Sequence, residues 1–97
     1  MAIEDKEIIL LKVSGQDKPG VTAGLTSILA TYDAVILDIG QADIHDTLSL
    51  GILFQVKSGS SSGPVLKDLL FKGYELGIKV KFIPISIPDY ENWVKAQ

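Results

Sequence analysis

The chain has 97 residues, of which 46% are hydrophobic, and a formal net charge of −3 at pH 7. That length allows one domain, and no apolar run approaches the roughly 20 residues that cross a bilayer, so we expect no membrane partner. The absence of cysteine excludes disulfide scaffolds and cysteine zinc sites, and the acidic balance argues against nucleic acid. A charged amino end without a signal sequence favours the cytoplasm.

The first predicted elements are a strand and a helix joined by a turn of small residues. Residues 8–14 have apolar side chains on both faces, which predicts a buried strand. Residues 19–32 carry apolar side chains at helical spacing, with Pro19 suited to the first helical position. Gly20 lets the backbone turn tightly and lets a ligand approach closely.

A β-hairpin is predicted next, from strands over residues 35–44 and 48–56 around a short polar turn. Gly40, inside the first of these strands, predicts a bulge or a close backbone approach. The polar residues 43–46 near the turn are interpreted as solvated, and a divalent metal bound there is the alternative.

The last third of the chain predicts a helix, a strand and a tail. The Ser- and Gly-rich residues 58–63 are interpreted as a flexible linker, after which Pro64 opens a helix that Gly77 ends. Residues 78–85 form a strand whose proline argues for an edge position. The tail begins at Pro88 and contains a short apolar patch, interpreted as a helical linker or as a lid over apolar surface.

The order β, α, β, β, α, β predicts an α+β, ferredoxin-like domain over residues 1–87, followed by a tail or linker to a further domain over 88–97. Its four antiparallel strands have both helices on one face. Several apolar strand residues are expected on the opposite face: Ile8, Leu10, Ile36, Leu53, Ile83 and Ile85. An uncovered apolar face of this kind predicts a second copy or a neighbouring domain that covers it or extends the sheet at an edge.

The turn over residues 17–22 is the candidate ligand site. The backbone N–H groups of Gly20, Val21 and Thr22 open a helix and are free to bind an anion such as a carboxylate. Asp17 beside them would bind the ammonium group of the same amino acid, and Lys18 would favour a phosphate group. The structural alternative is that Asp17 caps the helix and Lys18 is solvated.

The same turn carries a family resemblance. The string Asp-Lys-Pro-Gly-Val at residues 17–21, after a strand and before an apolar helix, resembles the start of an ACT domain, a small regulatory module attached to many enzymes of amino-acid metabolism. The segments 37–42 and 48–53 resemble the ACT region at the amino end of one class of bacterial phosphoserine phosphatase. The resemblance runs over residues 8–85.

This resemblance implies a regulatory domain that binds serine or a related amino acid at an interface between two copies. Asp38 and Gln41 would complete such a site from an edge strand; the alternative is that both are ordinary solvent-facing strand residues. It also implies a parent enzyme that hydrolyses L-phosphoserine with Mg²⁺ in serine biosynthesis, with a catalytic domain beyond Gln97. The alternative is a free-standing ACT protein that binds an amino acid or a protein partner.

The chain itself is not expected to catalyse a reaction or to bind a cofactor. The phosphatase chemistry needs an Asp-x-Asp-x-Thr loop, and the nearest string, residues 43–47, has His45 in place of the second aspartate. A small enzyme of the acylphosphatase kind is disfavoured, because all 9 basic side chains are lysine and that chemistry needs an arginine.

Overall fold

The computed structural model describes residues 6–57 and 62–97, so residues 58–61 of the predicted linker lie outside the described part. Four strands pair into one antiparallel sheet in the order β2-β3-β1-β4: β1 (Lys6–Gln16), β2 (Val35–Ile44), β3 (Thr47–Lys57) and β4 (Lys79–Ile85). The helices are α1 (Val21–Thr31), α2 (Ser62–Leu76) and α3 (Ile87–Ala96). The predicted ferredoxin-like order is confirmed, with α3 as an addition. No helix of the described residues is long and apolar enough to span a bilayer.

The core lies between one face of the sheet and the helices α1 and α2. Successive side chains of a strand point to opposite faces, so alternate residues of β1 and β3 are buried here. The most deeply buried side chains are Leu11, Val13, Val21, Leu25, Leu29, Leu48, Ile52, Phe54, Val65 and Leu69. At the rim of the core, the Tyr32 hydroxyl after α1 donates to Asp68 Oδ2 of α2 at 2.5 Å, which ties the two helices together.

A bulge in β2 decides which of its residues face the helices. The register passes from Ile36 opposite Phe54 to Asp38 opposite Leu53, so Leu37 is an extra residue on β2. Directly opposite residues of antiparallel strands share a face. Ile36 therefore lies on the helix side with Phe54, and its predicted place on the open face is wrong.

The starts of α1 and α2 differ from the prediction. Pro19 lies in the turn before α1, and α2 begins at Ser62, two residues before Pro64, so neither proline opens its helix. Gly20 occupies the N-cap position of α1 with a φ of 87°. The predicted end of α2 is confirmed, since Gly77 follows its last residue with a φ of 69°.

The sheet has β2 and β4 at its edges, which confirms the edge position predicted from Pro84. Gly40 pairs in register with Gly51, and the space that a Cβ would occupy there is open, so the predicted bulge or close approach at Gly40 is wrong. The exposed large apolar residues of β2 are Val35, Ile36, Ile39 and Ile44. The outer edge of this strand is thus apolar and, in a single chain, unpaired.

Helix α3 covers part of the face opposite α1 and α2. It packs against β1, and its Tyr90 and Trp93 line a cavity of about 360 Å³ together with Leu10 and Leu53 of the sheet. Ile8, on the same face, is only 3% exposed. The apolar patch predicted in the tail therefore lies on a helix above the open face and reduces the apolar area left for a partner.

Gly73, in α2, packs tightly against β4, because a Cβ at this position would overlap Val80 Cγ2. We expect Gly73→Ala to lower the free energy of unfolding by about 1–2 kcal/mol, since overpacking costs about 1–3 kcal/mol and the helix propensity of alanine returns up to about 1 kcal/mol. Urea denaturation measures this change. The additional substitution Val80→Ala should remove the clash.

The matched control is Gly24→Ala in α1, where the new Cβ would stand 3.7 Å from the Lys72 side chain in ordinary contact. This variant should be as stable as the parent chain or slightly more stable. Equal stabilities for Gly73→Ala and Gly24→Ala would contradict the close packing of α2 on β4.

Candidate functional site

The candidate site is the corner where the chain leaves β1 and enters α1. Asp17 follows β1 directly, and its N–H donates to the Asp46 carbonyl at 2.9 Å. Asp46 belongs to the two-residue turn of the β2–β3 hairpin, in which His45 and Asp46 have φ values of 51° and 65°. Positive φ at both turn residues matches the twist of a two-residue hairpin. The hairpin tip is thereby held beside the start of α1.

The first turn of α1 presents free backbone donors to solvent. No side chain caps this helix, so the alternative that Asp17 caps it is wrong. Among the described residues, the N–H groups of Gly20 and Thr22 donate to no backbone carbonyl, and the Val21 N–H lies 3.5 Å from the Lys18 carbonyl oxygen. Nothing lies within 4 Å of a Cβ built at Gly20, so an anion can approach these donors closely.

A chain of side-chain hydrogen bonds joins α1 to the edge strand β2. Thr22 Oγ1 donates to Gln41 Oε1 at 2.9 Å, and Gln41 Nε2 donates to Asp43 Oδ1 at 3.3 Å. Gln41 and Asp43 both point to the helix side, because they lie opposite residues of β3 whose side chains are in the core. The Asp43 carboxyl also interacts with the Asp17 carboxyl, and the two share a hydrogen bond when one of them is protonated. The network thus runs from the helix start to the acidic turn.

Asp17 lies among other carboxylates, and this changes its acidity. The hydrogen bond with Asp43 raises the pKa of Asp17 above its ordinary value, and desolvation and the negative charges of Asp43 and Asp46 raise it further. A backbone hydrogen bond from Lys18 acts in the opposite direction. A proton or an ammonium group is therefore favoured at this point of the corner.

The structure places two of the predicted site residues elsewhere. Lys18 Nζ donates to the carbonyl of Leu76 at the end of α2, at 3.0 Å, where a cation satisfies a free helix carbonyl. Asp38 lies opposite Leu53, on the other side of the sheet from Gln41. The predicted residues that do share the corner are Asp17, Gly20, Val21, Thr22 and Gln41.

Two acidic residues of the corner were not among the predicted ligand-binding residues. Asp43 follows Gln41 by two residues on the same strand, and that spacing is the sequence signal that places both on one face. Asp46 reaches the corner through the turn. Within the described ranges 6–57 and 62–97, no three His, Asp or Glu side chains are placed to hold a metal ion.

Comparisons with known proteins agree with this fold. A family model described as ACT domain matches residues 7–83. A UPF0237 protein of Methanopyrus kandleri is 35% identical over 72 residues, which cover 73% of this chain and 80% of that protein. A phosphoserine phosphatase of Mycobacterium tuberculosis is 35% identical over 63 residues, which cover 65% of this chain but 15% of that protein. An ACT domain protein from Streptococcus pneumoniae has a similar fold, with a TM-score of 0.69 at 19% identity over 80% of this chain and 89% of that one.

Asp43→Asn tests the origin of the raised pKa of Asp17. The pKa of Asp17 is higher in the folded chain than in the unfolded chain. At pH values between these two pKa values the folded chain binds more protons, so the free energy of unfolding falls as pH rises through this range. The substitution removes a charge and keeps an acceptor. We expect the pKa of Asp17 to fall toward its ordinary value. The variant should be more stable than the parent chain at pH 7, and this difference should disappear at pH values below the ordinary aspartate pKa.

Carboxyl NMR titration and urea denaturation at several pH values measure these two effects. Asp33→Asn is the matched control, because Asp33 is exposed and has a positive φ that asparagine also tolerates. That variant should leave the titration of Asp17 unchanged. An Asp17 titration that is the same with and without the Asp43 carboxylate would contradict the assignment.

Proposed function

This chain belongs to the ACT domain family, and we propose that it is a regulatory domain that binds a small amino acid between two copies of itself. The observation that carries the proposal is the meeting of free backbone donors and carboxylates at one corner. The N–H groups of Gly20 and Thr22 would bind the ligand carboxylate. Asp17 and Asp43 would bind its ammonium group. The Thr22 hydroxyl and the Gln41 amide beside them suit a short hydroxylated side chain, so L-serine is the proposed ligand.

A single copy leaves such a ligand largely in water. Asp17, Gly20 and Gln41 are exposed, whereas small-molecule sites bury most of the ligand surface. Gln41 lies on the edge strand β2, whose Ile39 and Ile44 are 45% and 74% exposed. An apolar, unpaired edge is a template for pairing with another chain. We propose that the β2 strands of two copies pair and that the partner copy closes the corner.

The relatives favour a free-standing regulator over a part of an enzyme. The similarity to the Methanopyrus protein spans most of that protein's length, as expected of a self-contained domain of this size. The similarity to the phosphatase is confined to 15% of its length. It leaves as the alternative that the domain regulates the hydrolysis of L-phosphoserine by a separate catalytic domain, which would use Mg²⁺ and lie in the cytoplasm. The coding frame after Gln97 distinguishes the two: an Asp-x-Asp-x-Thr loop further on supports the phosphatase, and a stop codon removes it.

Isothermal titration of the chain with L-serine, glycine and L-phosphoserine tests the site. We expect L-serine to bind in the micromolar to millimolar range, and Thr22→Val to weaken binding about tenfold, because it removes the hydroxyl that positions Gln41 and keeps the side-chain shape. Asp17→Asn should also weaken binding. Thr31→Val is the control, since the Thr31 hydroxyl donates to the Ser27 carbonyl at the far end of α1.

Absence of heat with every amino acid would contradict the sensor proposal. Binding that survives both Thr22→Val and Asp17→Asn would place the ligand outside the corner. Loss of binding in Thr31→Val as well would show that the titration reports on helix stability rather than on ligand contacts.

Ile39→Lys on β2 tests the pairing of two copies. A lysine on an edge strand opposes edge-to-edge association, so we expect the parent chain to sediment as a dimer and the variant as a monomer with weaker amino-acid binding. Phe71→Lys on α2 is the control, because Phe71 is also an exposed apolar residue, at 62%, but lies away from the edge. Circular dichroism establishes that both variants are folded. A parent chain that stays monomeric at high micromolar concentration would refute the pairing.

A further inference from the structure

Three lysines stand together on the open face of the sheet, and we refer to them as the lysine patch. Lys12 of β1 lies directly opposite Lys81 of β4, and Lys79 lies opposite Ser14 at the next position on this face. Directly opposite residues of antiparallel strands point to the same side. All three lysines are exposed. Their ammonium groups therefore share one region of solvent.

The lysine patch borders a floor of small residues. On the neighbouring strand β3, Gly51 lies opposite Lys12 and Ser49 lies opposite Ser14. Gly40 of β2 lies opposite Gly51 in turn. The three lysines, Ser14 and Ser49 line a cavity of about 650 Å³. That volume lies within the roughly 300–1,000 Å³ that small-molecule sites occupy.

No carboxylate of the described sheet balances the charge of the lysine patch. The neighbours of Lys12 and Lys81 on this face are glycine, serine, leucine, isoleucine and Lys79. The open-face acids Asp38 and Asp89 line the separate cavity beneath α3. Like charges directly opposite each other disfavour a sheet, so an anion bound beside the Lys12–Lys81 pair would offset their repulsion.

We propose that the lysine patch binds a small multivalent anion, one that carries two or more phosphate or carboxylate groups. Lys79 and Lys81 are two residues apart on one strand, which separates their Cα atoms by about 6.6 Å and suits adjoining anionic groups better than a single one. Lysine ammonium groups are mobile point charges, so the ligand is recognised by its charge, with Ser14 and Ser49 as further donors. The site lies on the opposite face of the sheet from Gln41 and is independent of the amino-acid site.

Titration calorimetry and thermal unfolding of the full chain with pyrophosphate and with citrate test this site, with sodium chloride at matched ionic strength as the reference. We expect at least one of the two anions to bind and to raise Tm above the chloride value. Lys12→Gln and Lys81→Gln should each weaken binding about tenfold, the scale of one charge-assisted hydrogen bond. Lys67→Gln, on α2, is the control and should change nothing. The preferred anion distinguishes a phosphate ligand from a carboxylate one.

Lys81→Glu supplies a second readout, because it turns the facing pair into opposite charges. We expect this variant to be more stable than the parent chain in chloride and to lose its response to pyrophosphate and citrate. Equal anion effects on the parent chain, Lys12→Gln and Lys67→Gln would overturn the proposal, since they would reflect a general salt effect. Tighter binding of a single-stranded oligonucleotide through the same lysines would overturn the small-ligand assignment. Neither failure would affect amino-acid binding at the corner, which Thr22→Val reports separately.

Discussion

The two-residue period of the antiparallel strands decides which chemistry each side of this sheet can support. The register of β1 with β3 and β4 places Leu11 and Val13 on the side of the helices and Lys12 on the opposite side. The bulge at Leu37 then changes the phase of β2, which brings Gln41 to the helix side beside Thr22 and leaves Asp38 on the other. A shift of one residue in either register would exchange these sets. Both proposed sites therefore depend on the same backbone register that buries the core.

The two sites also share an electrostatic character, since each gathers charges of one sign. Carboxylates gather around Asp17 at the corner and raise its pKa, and the lysine patch places two lysines opposite each other on neighbouring strands. Neither arrangement stabilises a single chain, and departures of this kind from the rules of stability are concentrated at functional sites. A ligand of opposite charge gains from the relief of that repulsion in addition to its own contacts. Repulsion between like charges destabilises the free protein, and a bound ligand of opposite charge reduces that repulsion.

The fold was more predictable than the site because alternation and helical spacing are local properties. They predicted four strands and two helices, but nothing in the run of apolar residues around Leu37 marks it as the extra one, so the faces of β2 could not be assigned. The bond from Lys18 to the Leu76 carbonyl joins positions 58 residues apart, and no local pattern reports such a contact. The tight bend at Gly20 and the free backbone donors after it were predictable from the sequence, whereas the choice between these free donors and a cap by Asp17 required the hydrogen bonds of the structure.

A domain of this kind regulates only if its ligand distinguishes two arrangements of the protein. The shift in their equilibrium is limited by the difference between the two affinities. In a single copy the corner is exposed. Any contact between the ligand and the second copy is therefore made only in the dimer. The proposed pairing through β2 would therefore strengthen amino-acid binding, and the amino acid would strengthen pairing by the same factor. A rise in amino-acid concentration would then increase the fraction of paired copies without any change in the fold of each copy.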